Sequence, residues 1–257
     1  MSWMLENKLK LNNDKTEALL MYSPFKSFPV SKPTSISVCG HNVSFSSSAR
    51  NLGFYITDSM NVELHIKNVC RLAFLELRRI SSIRHLLSVS TTKTLVSALV
   101  LSRLDYCNSL LAGCPLHLLE KLQKVQNSAA RLVLKARKRD HVTPLLRDLH
   151  WLPIHARIEY KLSTLCHSFF SGTAPQYLLP LLHVYTPSRQ LRSSSDSRLL
   201  RIPHVKTKAF GQRSFSFAAP SVWNSLPQEI RNITLTSEFK SALKTHLFKI
   251  AYDQSEC

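Results

Sequence analysis

PLHLLEKLQKVQNSAARLVLKARKR, residues 115–139, carries two side-chain rhythms at once. Leu118, Leu122, Val125, Ala129, Leu132 and Ala136 recur at steps of four and three, which keeps them on one face of an α-helix with about 3.6 residues per turn. That face is expected to be buried. Lys121, Lys124, Ser128, Arg131, Lys135 and Lys138 follow the same rhythm on a face centred about a third of a turn away, since each residue advances roughly 100°. Such a helix packs on one side and presents cations on the next. Taken alone, the stripe reads equally as a solvated helix face, because basic helices are common. The rest of the chain has to decide.

Its composition leans toward a polyanionic partner. Against 16 acidic residues stand 34 Lys and Arg, a formal net charge of +18 in 257 residues. An excess of that size repels itself in the compact state, and its natural counterparts are phosphate backbones or anionic membrane surfaces. A membrane is the weaker option. The longest apolar run, residues 95–101, is short of a span and interrupted by Ser97, and Glu6, Asn7, Lys8 and Lys10 break any signal-like core near the N-terminus. The expectation is an intracellular protein, nuclear or cytoplasmic, with no membrane partner. With 44% hydrophobic residues the chain can bury a core of one large or two small domains. The six cysteines form no CxxC pair, which indicates neither a disulfide framework nor a zinc ribbon. Cys107, Cys114 and His117 come closest to a ligand cluster but lack a fourth partner, so they read as small buried residues near a helix start. No metal site is expected. No GxGxxG or GxxxxGK occurs, which leaves out the phosphate-cradling loops of nucleotide-binding folds.

Taken in order, residues 3–21 begin as a helix and turn at Asn12, Asn13 and Asp14 into a short apolar strand at 18–22. Pro24, Pro29 and Pro33 mark a loop, residues 35–39 and 41–45 alternate like a hairpin about Gly40, and 52–56 add a strand. From residue 61 to 87 the period becomes helical, with Val62, Ile66, Val69, Ala73, Leu77 and Ile80 on one face. A second helix is expected after a cap at Ser90, Thr91 and Thr92, running to Gly113, and Pro115 opens the third. Consecutive helices with short connections pack as a bundle. Asp105, Tyr106 and Asn108 sit on the second of them, where hydrogen bonding within the bundle is the default reading. Residues 141–171 continue helical, with Ile154, Ile158, Leu162, Leu165 and Phe169 in register and Gly172 as a stop. Beyond Pro187, four arginines (Arg189, Arg192, Arg198 and Arg201) among serines suggest a segment lying on a polyanion or a solvated linker. Residues 214–217 alternate like a strand, Trp223 falls in a loop before Pro227, and Phe239, Leu243, Leu247 and Ile250 define a last helix.

Catalytic sets are missing. There is no GxSxG, no HExxH and no pair of adjacent aspartates. His150 beside Trp151 reads as a packed histidine, and Asp105, Asp140 and Asp148 are explained by pairing with Arg103, Arg139 and Arg147.

Several stretches in fixed order resemble one family. WMxxNxLKLNxxKTE (Trp3 through Glu17) looks like the segment that follows the catalytic loop of non-LTR retrotransposon reverse transcriptases, and Asn51, Leu52 and Gly53 look like the next motif. SRLDYCNSLL (102–111), LQKVQNSAARLV (122–133), HVTPLLRDLHWLPI (141–154) and GQRSFSFAAPSVWNSLPQEIR (211–231) are similar to the C-terminal part of jockey-like LINE elements and their vertebrate relatives. The resemblance implies an α+β, mainly α chain: a small residual palm hairpin or sheet, a helical thumb bundle, and a loosely structured C-terminal region. Its implied divisions are 1–57 for the end of the palm with a primer-grip-like hairpin at Leu52 and Gly53, 58–140 for the thumb, 141–187 for a helical extension, and 188–257 for a basic linker and C-terminal segment. Lys15 falls at the lysine that in this family is thought to act as general acid toward pyrophosphate. The expected nucleic-acid-binding residues are Lys121, Lys124, Arg131, Lys135, Lys138, Arg189 and Arg192, since a thumb holds the duplex backbone and a cationic helix face suits that task.

One departure limits the comparison. The family's FADD or YxDD loop precedes the segment at Trp3, and this chain contains neither. Without those carboxylates no divalent ions are held for phosphoryl transfer, so no polymerase activity is expected of the chain by itself, and Mg²⁺ only of the intact polymerase. The expectation is a truncated reverse transcriptase remnant that binds RNA, DNA or RNA–DNA duplex without sequence preference and has no small-molecule substrate of its own. The alternatives are a fragment of an active RNA-directed DNA polymerase whose catalytic part lies upstream, and a co-opted protein-interaction module.

Overall fold

The computed structural model describes residues 2–9, 12–22, 33–187, 198–207 and 210–253, and it is α+β with helix dominant and small sheets. Two compact units divide at Lys67 and Asn68.

In the first unit, α1 (Ser2–Glu6) is followed by a 3-10 turn at Asn13–Lys15 and by β1 (Ala18–Leu19). The hairpin expected about Gly40 is present as β2 (Ser35–Val38) and β3 (His41–Ser46), antiparallel with Ser35 opposite Ser44. β1 adds to it in parallel, Ala18 opposite Phe45, giving the order β1–β3–β2. A second pair, β4 (Ser48–Asn51) and β5 (Phe54–Thr57), corrects the single strand expected at 52–56. Leu52 and Gly53 are the turn between them, with φ of +46° and +88°. Two successive positive φ values suit a two-residue hairpin loop, whose twist then matches that of the strands. Phe54 stacks on His65 at 4.0 Å, and Val62 and Ile66 are buried.

α2 (Glu63–Ile83) runs on into the second unit, where Ala73, Leu77 and Ile80 are buried as the spacing predicts and a 3-10 turn at Arg84–Leu86 ends it. The expected second helix is interrupted. Ser88, two residues before the expected cap, accepts from the Thr91 N–H at 3.1 Å and starts α3 (Val89–Val96). A π-helical turn at Ser97–Leu101 leads into α4 (Ser102–Asp105), which stops before left-handed Cys107 and a 3-10 turn at Asn108–Leu111. The Ser102 hydroxyl donates back to the Ala98 carbonyl, a bond of the kind that bends helices.

α5 (Leu116–Leu134) begins after Pro115, which is its N-cap rather than its first residue. The helical stretch expected over 141–171 is two helices, α6 (Val142–Asp148) and α7 (Ile154–Phe170). Pro153 separates them, since it lacks an N–H and disfavours helical geometry at the residue before it.

The largest correction concerns the C-terminal region. Residues 214–217 are not a strand but the start of α8 (Phe215–Asn224), followed by α9 (Gln228–Arg231) and α10 (Thr236–Asp253). Four alternating residues are too few to separate strand from helix. Trp223, expected in a loop, is fully buried on α8. It lies 5.7 Å from Phe239, which in turn stacks on His167 of α7 at 4.2 Å. Residues 198–200 are pinned to this core. The Trp223 indole donates to the Arg198 carbonyl at 2.6 Å, and the Asn224 amide pairs with both backbone groups of Leu200 at 2.7 and 2.9 Å. The described residues 198–200 and 215–253 are therefore packed rather than loose, because apolar side chains among them close onto α7. Among the described residues no helix is long and apolar enough to cross a membrane.

Candidate nucleic-acid interface

α5 buries Leu118, Leu122, Val125, Ala129 and Val133. The stripe expected through Leu132 and Ala136 thus shifts by one at its end: Leu132 is only half-buried, and Ala136 lies beyond the helix. Gln126, which no apolar pattern could place, is also fully buried, and its amide donates to the Leu152 carbonyl at 2.8 Å. Gln123 beside it accepts from the Ile154 N–H at 2.9 Å. These two glutamines fix the start of α7 against α5.

Lys121 and Lys124 are exposed on the other side. Lys121 reaches the neighbourhood of α2: burial raises the Cys70 thiol pKa, and the Lys121 charge partly opposes that rise. Arg71 and Arg78 are also exposed on α2.

The end of α5 is built by arginines with different tasks. Arg84, itself buried, donates to the carbonyls of Leu132 and Val133 at 2.9 Å each and to that of Leu87 at 2.7 Å. A cation at a helix C-terminus satisfies orphan carbonyls and suits the dipole. Arg131 donates to the Asp140 carbonyl at 3.1 Å, while its own carbonyl accepts from the N–H of Ala136 at 3.0 Å. Asp140 closes the turn by accepting from the Arg137 N–H at 2.6 Å. Lys135, left-handed at φ +54°, starts this turn, and Lys135, Arg137, Lys138 and Arg139 are exposed on it.

Of the residues expected to bind, Lys121, Lys124, Lys135 and Lys138 therefore belong to one element and the turn that ends it. Lys135 and Lys138 lie past the last helical residue, and the half-buried Arg131 also helps to hold the turn. Arg189 and Arg192 lie outside the described residues. In the first unit, Lys15 is exposed on its 3-10 turn, where its N–H donates to the Asn12 carbonyl at 3.2 Å. Leu52 is 86% exposed at the hairpin tip.

Asp105 and His150 depart from their expected partner and setting. Asp105 pairs with Arg157 of α7 at 2.5 Å rather than with Arg103, which instead reaches Glu76 at 3.6 Å. His150 is exposed, contrary to its reading as a packed side chain, and its ring lies 5.8 Å from that of Phe248. Among the described residues no group of three His, Cys, Asp or Glu side chains could hold a metal ion. Arg137 and Arg139 break the helical rhythm of the stripe, and the end of the helix at Leu134 places them on the same turn as Lys135.

Compared with known protein families, curated proteins and solved structures, the chain matches none of them.

Proposed function

We propose that the chain binds the sugar–phosphate backbone of a nucleic-acid duplex, without base specificity, through α5 and the basic turn that follows it. The observation that carries this reading is the grouping of Lys121, Lys124, Lys135, Arg137, Lys138 and Arg139, all exposed, on one helix and its C-terminal turn in a chain of net charge +18. Lysine and arginine without interleaved acids neutralise phosphates and release condensed counterions, which favours binding of any sequence. Glu120 and Asp140 are the acids nearest in sequence, and Asp140 is engaged in the turn.

The motif order supports assigning this surface to the thumb of a non-LTR retrotransposon reverse transcriptase. Within that reading the chain grips duplex and does not extend primers alone, because it contains no FADD-type aspartate pair. Lys15 would then serve catalysis only beside such a pair.

Fluorescence anisotropy with an RNA–DNA duplex over a salt series tests the binding. The expected slope is about −0.9 per contacted phosphate, so six contacts weaken binding roughly a thousandfold over a fourfold rise in salt. Affinity independent of salt contradicts the reading. Joint reversal of Lys121 and Lys124 to Glu should lower both affinity and slope. Primer extension by the chain alone with Mg²⁺ tests the second part, and any extended product contradicts the reading that the chain lacks the carboxylates for phosphoryl transfer.

A further inference from the structure

The second unit contains a cavity of about 640 Å³ between the π-helical turn, the segment before α7, α7 itself and α10. Three irregular pieces of backbone converge on it. Ser97 and Leu101, the two ends of the π turn, line its wall. Asn108 follows left-handed Cys107 at φ +54°, and Trp151 follows left-handed His150 at φ +56°. Among the described residues of this unit the non-glycine residues with positive φ are Cys107, Lys135 and His150, so two of the three flank this one cavity. Backbone of this kind carries a conformational penalty, and it clusters where a site must be shaped.

The lining is chemically specific. Arg157 is held by Asp105 at 2.5 Å and by the Leu152 carbonyl at 3.0 Å, which leaves its guanidinium fixed in the wall. Lys161 of α7 and Lys244 of α10 are exposed at the same cavity, so its fixed charges sum to about two positive. Asn108 is 5% exposed, and its Oδ1 has no hydrogen-bond partner. Leu101, Trp151 and Leu152 supply apolar wall.

We infer that this cavity binds a phosphomonoester carrying an apolar or planar body with an N–H or O–H donor, the chemistry of a free mononucleotide or of a phosphorylated strand end. A dianionic phosphate matches Lys161, Lys244 and Arg157. The apolar wall receives the ring, and the donor has Asn108 and Asp105 as acceptors. The volume falls in the range of small-ligand sites, roughly 300–1,000 Å³. A free mononucleotide departs from the expectation of no small-molecule substrate, and the inference does not depend on duplex binding by α5.

Isothermal titration of the full chain with adenosine 5′-monophosphate, inorganic phosphate and adenosine tests it, with a Lys161→Ala/Lys244→Ala variant in parallel. Both lysines are exposed, so the variant keeps its core. The nucleotide should bind more tightly than either part, and the double variant should lose about tenfold or more. Lys121→Glu/Lys124→Glu should leave nucleotide binding unchanged, which separates failure here from failure of the backbone-binding surface. A 5′-phosphorylated oligonucleotide preferred over its 5′-hydroxyl form, with the preference lost in the lysine variant, assigns a strand end. Nucleotide binding without that preference assigns the free ligand. No binding of the nucleotide, equal binding of inorganic phosphate, or an unaffected double variant overturns the inference.

Discussion

Arg84 carries one of the clearest single-residue arguments in the molecule. Its guanidinium makes three hydrogen bonds to backbone carbonyls from a buried position. In Arg84→Ala those carbonyls lose a charged donor at a site where water enters poorly, and the expected loss of stability is about 2–4 kcal/mol by urea denaturation. A loss within experimental error contradicts this role. His167 acts in the opposite sense. Burial lowers its pKa below the ordinary imidazole value, aided by the charges of Arg198 and Lys240 and opposed by hydrogen bonds to the Ile233 and Thr234 backbone. Its Nδ1 is buried without a partner. The unfolded chain therefore binds this proton more readily than the folded one. Its contribution to stability is present above the unfolded value of 6.5 and declines as pH falls from there toward the lowered folded value, by at most about 1.4 kcal/mol per pH unit. His167→Phe keeps a ring against Phe239 and should flatten the fall in urea midpoint between about pH 7.5 and about pH 5.5. An equally steep fall in the variant assigns the pH dependence elsewhere.

At the level of the element, α5 shows both what a sequence pattern conveys and where it stops. Leu118, Leu122, Val125 and Ala129 were placed on the buried face by spacing alone, because a 3.6-residue period and an apolar stripe admit one solution over three turns. The end of the helix was not legible. Nothing local forbids Lys135 or Ala136 from continuing it, and the stop comes from Arg84, some fifty residues earlier, together with the Asp140 turn. The same limit applies at α8. Its core contact is with α7, where Trp223 stacks on Phe170 at 5.3 Å, whereas the four residues at its start alternate as a strand would. Of the proposed binding surface, Lys121 and Lys124 are legible in the sequence as exposed cations, and Arg137 and Arg139 are not. Lys135 permits stability and binding to be separated within this element. Left-handed backbone is unfavourable for a side chain bearing Cβ by about 1–2 kcal/mol, so Lys135→Gly should raise stability by roughly 0.5–1.5 kcal/mol. The same change removes a cation and should weaken duplex binding. A variant that loses both, or gains both, contradicts the account of the turn.

For the whole molecule, net charge and unequal cores lead to linked expectations. The second unit buries Leu122, Leu162, Cys166, Trp223, Phe239 and Leu243 almost completely, whereas β2 and β3 in the first unit are mostly exposed. A few short strands with one shielded face are marginal on their own, while a helical core of this kind sustains cooperative folding. A fragment spanning residues 61–257, which keeps α2 intact, should retain its helical circular dichroism and a single unfolding transition. Residues 1–60 alone should not fold. Salt then distinguishes stability from binding in this fragment. Clustered cations on α5 and its turn repel one another in the compact state, and added salt screens that repulsion over a Debye length of about 10 Å at 0.1 M. Melting temperature should therefore rise with moderate salt while duplex affinity falls, two trends of opposite sign from one charge distribution. Should both fall together, loss of fold would account for loss of binding. Should the fragment fold yet bind duplex no better than a neutral protein, the cationic surface of α5 would be a solvated helix face and nothing more.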